Sequence, residues 1–187
     1  MLKCIEITKR FGENTVLENY SHEFAFEKTT AVLGRSGGGK TTLLNILMGL
    51  LPPDSGEVVR EGRISALFQE DRLCENLTAS ANIRLVTGKR LSKAQIAEEL
   101  AAVGLSGCAE KPVRELSGGM KRRTAMLRAL LAEYDILFAD EPFKGLDEVT
   151  RADVMRYFKE KTAGKTVVFV THDNDECEAL ADDVIRL

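Results

Sequence analysis

The chain has 187 residues, enough for one well-buried domain and too few for two ordinary ones. Hydrophobic residues make up 44% and charged residues 29%, the balance of a soluble globular protein and not of a disordered chain. Lys plus Arg (26) against Asp plus Glu (29) gives a net charge of −3, which offers no broad basic face, so no nucleic-acid partner is expected.

The opening stretch "MLKCIEITKRFGEN" has no apolar signal core, and no apolar run approaches the ~18 residues of a spanning helix. A cytosolic protein is expected, or one held at a membrane only through a partner. "LKCIEIT" and "SHEFAFE" then read as alternating strands around a loop, a small antiparallel layer ahead of the main core. The short apolar runs "TAVLG" at 30–34, "ISALF" at 64–68, "DILFA" at 135–139 and "TVVFV" at 166–170 read as parallel strands covered on both faces. Between them, "TTLLNILMGLL" reads as an apolar helix. "SKAQIAEELAAVG" opens with Ser92 and Gln95 in capping-box spacing, sets Ile96, Leu100 and Val103 on one face and stops at Gly104. "DEVTRADVMRYFKEKTAG" begins at a capping Asp147 and ends near Gly164. Residues 71 to 116 carry helix with no obvious core strand. The expected fold is a single α/β domain over 1–187, a mainly parallel sheet flanked by helices, with an N-terminal antiparallel layer and an inserted helical subdomain at about 71–131.

The four cysteines, Cys4, Cys74, Cys108 and Cys177, are scattered without a Cys-x-x-Cys pair, which points to thiols in a reducing compartment and not to zinc or redox chemistry. Chemistry enters at Gly34, Gly39, Lys40 and Thr41, which satisfy Gly-x4-Gly-Lys-Ser/Thr between an apolar strand and an apolar helix. In that context backbone N–H groups and a helix N-terminus bind phosphate, Lys40 reaches the outer phosphates and Thr41 holds magnesium. A nucleoside triphosphate also needs a carboxylate at a neighbouring strand end to order the metal, and "YDILFADEP" offers Asp140. Glu141 follows, able to polarise a water; the alternative is a turn with solvated acids. His172 follows another core strand, at the edge where ligands bind such sheets, and is either a γ-phosphate contact or a hydrogen-bonded structural residue. A second glycine-rich loop, "ELSGGMKRR" at 115–123, opens the helix "GGMKRRTAMLRALLAE", whose free N–H groups favour an anion; an ordinary Ser-capped helix start is the alternative.

Taken in order, "GRSGGGKTT", "LFQEDR", "ELSGGMKRR", "ILFADEP", "KGLD" and "VTHD" resemble the ATP-binding subunit of ABC transporters, over essentially the whole chain, a phosphate-loop NTPase fold. The resemblance implies that Phe11 stacks on adenine and that Gly34, Arg35, Ser36, Gly37, Gly38, Gly39, Lys40, Thr41 and Thr42 bind the phosphates of ATP. Thr41, Gln69 and Asp140 would attend Mg2+, and Gln69 would also join the attacking water to the transporter interface. Glu141 would be the general base and His172 the sensor of the γ-phosphate. Ser117, Gly118 and Gly119 would bind ATP held by a second copy of the chain, and Asp147 would couple the two sites. The implied partners are that second copy in an ATP-sandwich homodimer, transmembrane permease subunits and, indirectly, a solute-binding protein, on the inner face of the cell membrane. "LFQEDRLCENLTASANI" is similar to the nitrate, sulfonate and taurine importer ATPases. A soluble ATP-gated clamp or regulatory subunit is the alternative function. Met120 in place of the usual glutamine, Lys144 in place of a small residue and a short stretch between Lys40 and Gln69 depart from the family pattern.

Overall fold

A computed structural model describes residues 1–35 and 37–187; Ser36, expected among the phosphate ligands, lies outside the described residues. In chain order the elements are β1 (Leu2–Phe11), β2 (Asn14–Phe24), β3 (Thr29–Leu33), α1 (Lys40–Met48), β4 (Ser55–Arg60), β5 (Ile64–Leu67), α2 (Ala79–Thr87) and α3 (Lys93–Ala102). A 3-10 turn at Val113–Glu115 precedes α4 (Gly118–Leu130), β6 (Ile136–Asp140), α5 (Glu148–Lys161), β7 (Thr166–Thr171), α6 (Asn174–Leu180) and β8 (Asp183–Arg186). The chain forms two compact units. One comprises Met1–Ile64, Tyr134–Glu141 and Gly164–Leu187; the other comprises Ser65–Glu133 and Pro142–Ala163.

The first unit holds two sheets. In the antiparallel one, β1 lies between β2 and β4. Its ladder is broken by register shifts between Cys4 and Arg10, with Glu6 at φ 51° and Asn19 at φ 47°, so the β1–β2 pairing is irregular. In the parallel one the strands run β6-β7-β3-β8. Every residue of β6 and β7 is buried, the signature of strands covered on both faces. Helix α1 packs on β6 and β7 through Leu43, Leu44, Ile46 and Leu47, all buried, and ends where Gly49 turns left-handed.

The second unit is helical. Helices α2, α3 and α4 pack on one another and α5 packs on α4, around buried Ile83, Ile96, Leu100 and Phe158. The expected capping box of α3 is present in full: Gln95 N donates to Ser92 Oγ at 3.2 Å and Ser92 N donates to Gln95 Oε1 at 2.9 Å. Asp147 caps α5, accepting from Thr150 N at 3.0 Å. Four features were not legible in the sequence: the start of β2 at Asn14, strand β4, and helices α2 and α6 as separate elements. β4 ("SGEVVR") buries none of its residues fully and draws its identity from pairing with β1, which no local pattern announces.

Asn82, wholly buried in α2, ties the preceding loop to the helix. Its amide accepts from Cys74 N at 2.8 Å and donates to Cys74 O at 3.1 Å and Thr78 O at 3.0 Å. Removing it leaves the buried space of the amide unfilled, strips Cys74 N of this partner and takes one of the bonds made to Cys74 O and one of those made to Thr78 O. Asn82→Ala is expected to lower stability by about 2–4 kcal/mol, read as a lower urea midpoint at unchanged m-value.

Candidate active site

Parallel pairing decides which loops share an edge. Leu33 of β3 is opposite Thr171 of β7, and Asp140 of β6 is opposite Val170. Gly34, Glu141 and His172 therefore leave the sheet side by side at its carboxyl edge, where open α/β sheets bind ligands.

The loop from Gly34 to Gly39 arrives there and turns into α1. Gly39 is the N-cap at φ 87°, and a Cβ on it would lie 2.7 Å from Val16 Cγ1, so both conformation and space require glycine. Among the described residues no side chain caps α1. Its first N–H groups and its dipole are left to attract an anion. Lys40 is buried and its ammonium donates to Gly34 O at 2.7 Å and Arg35 O at 2.8 Å, which bends the loop round its own cation. Gly38 N closes the turn on Arg35 O at 3.1 Å. Beside the loop opens a cleft of about 210 Å³ lined by Phe11, Val16, Gly37, Gly39, Lys40, Thr41 and Thr42. Phe11 is 51% exposed, an aromatic face on offer at the mouth of a phosphate cradle.

Across the edge, Thr41 Oγ1 donates to Asp140 Oδ2 at 2.8 Å, linking residues 99 positions apart. A hydroxyl and a carboxylate so placed are hard oxygen donors. Among the described residues no cluster of three acidic, His or Cys groups could cage an ion. That set fits Mg2+, which binds one or two protein oxygens together with substrate phosphates. Glu141 takes φ 46°, a left-handed conformation uncommon for a residue with a side chain, and is anchored by its N–H donating to Val170 O at 2.9 Å. This turn sets its carboxylate 3.4 Å from His172 Nδ1, with Glu141 largely buried and His172 65% exposed.

The loop carrying His172 is itself held. Thr171 Oγ1 donates to the buried Glu176 carboxylate at 2.6 Å and accepts from Asp173 N at 3.1 Å, and Asp173 caps α6 by accepting from Asp175 N at 2.8 Å. Sequence reasoning missed Val16, Thr171 and Glu176. Thr171 and Glu176 flank His172 in "THDNDE", a spacing that joins a strand end to a helix and could have suggested the link.

The remaining expected residues lie in the second unit. Ser117 caps α4, accepting from Met120 N at 3.4 Å. A Cβ on Gly119 would lie 3.6 Å from Gly145 O and from Leu146 Cδ2, so the "LSGG" turn and the "KGLD" turn are neighbours there. The Thr150 N–H holds the Asp147 carboxyl below the usual carboxylate range, with Arg123 adding to the effect. Gln69 sits in an exposed loop after β5.

Comparison with known proteins gives these features a setting. The family model described as "ABC transporter" matches residues 17–144. The chain is 40% identical over 186 residues to an aliphatic sulfonates import ATP-binding protein of Nocardia farcinica, covering 97% of this chain and 75% of the relative. It is 35% identical over 208 residues to a sulfate/thiosulfate import ATP-binding protein of Xanthomonas campestris, covering all of this chain and 61% of that one. Among solved structures, the dimeric post-hydrolysis state of the ATP-binding cassette MJ0796 bound to ADP and Pi superposes with a TM-score of 0.88 at 30% identity, covering all of this chain and 94% of that one. A phosphate loop, a strand-end Asp-Glu and a strand-end His on one sheet edge, matched across this length, leave one conclusion: the chain belongs to the ABC transporter family, whose ATP-binding subunits hydrolyse ATP.

Proposed function

We propose that the chain binds MgATP at the edge of its parallel sheet and hydrolyses it to drive solute import through membrane permease subunits. The observation that carries this reading is the juxtaposition of two pairs, Thr41 with Asp140 and Glu141 with His172, beside a phosphate loop. Phe11 stacks on the adenine, and the loop N–H groups with Lys40 bind the phosphates. Thr41 and Asp140, with Gln69, hold the metal, which neutralises charge developing on the phosphates. Glu141 accepts a proton from the attacking water, and His172 contacts the γ-phosphate while orienting Glu141.

Turnover in this reading belongs to a homodimer. Ser117, Gly118 and Gly119 of one copy close over the ATP of the other, Asp147 couples the two sites, and the helical second unit, about 71–131 with its flanks, meets the permease near Gln69. Support comes from the dimeric cassette structures that the chain resembles and from the importers its relatives serve. No helix among the described residues is long and apolar enough to cross a membrane. In this reading the chain sits on the inner membrane face through its permease partners, as the import ATP-binding relatives suggest. The relatives' named cargoes include sulfonates and sulfate or thiosulfate; choice of cargo lies with the membrane and binding subunits.

Two experiments test this. Glu141→Gln keeps the shape of the site and removes the base, so turnover should fall by about 10² or more. ATP then persists, and a stable dimer should appear on a sizing column with MgATP and not with MgADP. Turnover like the unaltered chain would remove Glu141 as base. The second mixes Lys40→Ala with Ser117→Arg, each inactive alone. In the heterodimer one site combines an intact phosphate loop with an intact "LSGG", so some ATPase activity should return. If crosslinking proves that heterodimers formed and they trap no ATP, the two-copy site is wrong.

A further inference from the structure

Arg122 lies one turn into α4 within the run Lys121-Arg122-Arg123, which reads in sequence as a solvated basic stripe. It is instead 4% exposed. A guanidinium so buried persists only where its donors are met. Its Nη1 donates to Phe68 O at 2.6 Å, to Asp71 Oδ1 at 3.2 Å and to Gln69 O at 3.4 Å, and its Nε donates to Pro142 O at 3.2 Å. Arg128, later on the same helix, donates to Arg72 O at 2.8 Å and Asp71 O at 3.0 Å. The loop also closes on itself, with Arg72 at φ 47° and its guanidinium 3.7 Å from the Phe68 ring centroid. Its carbonyls are thus bolted to α4, and the Gln69 side chain is left exposed.

We propose that Arg122 is the positioning residue for Gln69: it fixes the backbone from which Gln69 projects, and makes that loop one rigid element with the helix that opens at Ser117. The proposal rests on the reading above that Gln69 takes part in ATP hydrolysis. Arg suits the place because its guanidinium reaches two separate segments at once, the Phe68–Asp71 loop through Nη1 and Pro142 O through Nε; a lysine ammonium is a point charge and reaches fewer of them. Fixing the backbone matters because a small displacement of a catalytic side chain costs far more in rate than in binding.

The test compares kcat and KM for MgATP in the full chain with Arg122→Met, Gln69→Ala and the double variant. Arg122→Met should lower kcat by about tenfold or more, with KM changed by less than about twofold. In the Gln69→Ala background the same change should cost less than about twofold, because the residue it positions is already gone. Arg122→Lys should recover part of the loss. Multiplying losses in the double variant would mean that Arg122 acts independently of Gln69 and would overturn the proposal, as would wild-type turnover in Arg122→Met. Should Arg122→Met fail to fold, Asp71→Asn replaces it, since the carbonyl contacts remain and only the charge partner goes. A fall in kcat that vanishes in the Gln69→Ala background supports the clamp, and one that persists there overturns it. If Gln69→Ala itself turns over like the unaltered chain, the assigned role of Gln69 is what fails, and the clamp has nothing to position.

Discussion

The parallel pairing of β3, β7 and β6 is the constraint on which the site depends. Parallel strands end at one edge, so Leu33 opposite Thr171, and Asp140 opposite Val170, deliver three chain segments to one place. A slip of one residue would invert each side chain between the two faces. Such a slip is opposed because β6 and β7 are buried along their whole length, so every side chain would have to be repacked. The hydrogen bond from Thr41 to Asp140 then links the helix that follows the phosphate loop to the neighbouring strand.

Two helix starts in this chain are built differently, and the difference has a physical use. At α1 the cap is a left-handed glycine with no side-chain acceptor, which keeps the N–H groups available to phosphate oxygens. At α4 the Ser117 hydroxyl is the cap, and its bond to Met120 N is 3.4 Å, longer than the 3.1 Å at Thr78 or the 3.0 Å at Asp147. That hydroxyl stands beside Gly118, where a Cβ would meet nothing within 4 Å, so the backbone there is open to close approach. Charge at the edge is managed locally as well. Lys40 is held by two carbonyls, and the Glu141 carboxylate lies 3.4 Å from His172 Nδ1.

Legibility followed the range of the interactions. The strand, loop and helix around Lys40, the Ser92 capping box and the Asp147 cap are local patterns whose physics acts within a few residues, and all three stand in the structure. Strand β4 was not legible because its half-exposed side chains carry no period and only β1 makes it a strand. For the same reason the burial of Arg122 was not legible. It stands in a run of basic residues, a kind of run that is usually solvated, and what buries it is contact with a loop more than fifty positions earlier and with Pro142 O, twenty positions later.

By itself, then, the sequence determined the ordered motifs, the parallel α/β class and the residue types able to bind phosphate, order a metal and move a proton, because glycine, lysine, carboxylate and imidazole keep their chemistry in any fold. The tertiary structure alone decided that Glu141 turns left-handed to bring its carboxylate to His172, that Glu176 latches Thr171 beneath the same loop, and that Arg122 grips the loop of Gln69. Those facts join residues that are distant in the chain, or hang on a single backbone angle. No local pattern encodes them, because the free energy that selects them is released only when strands pair and helices pack.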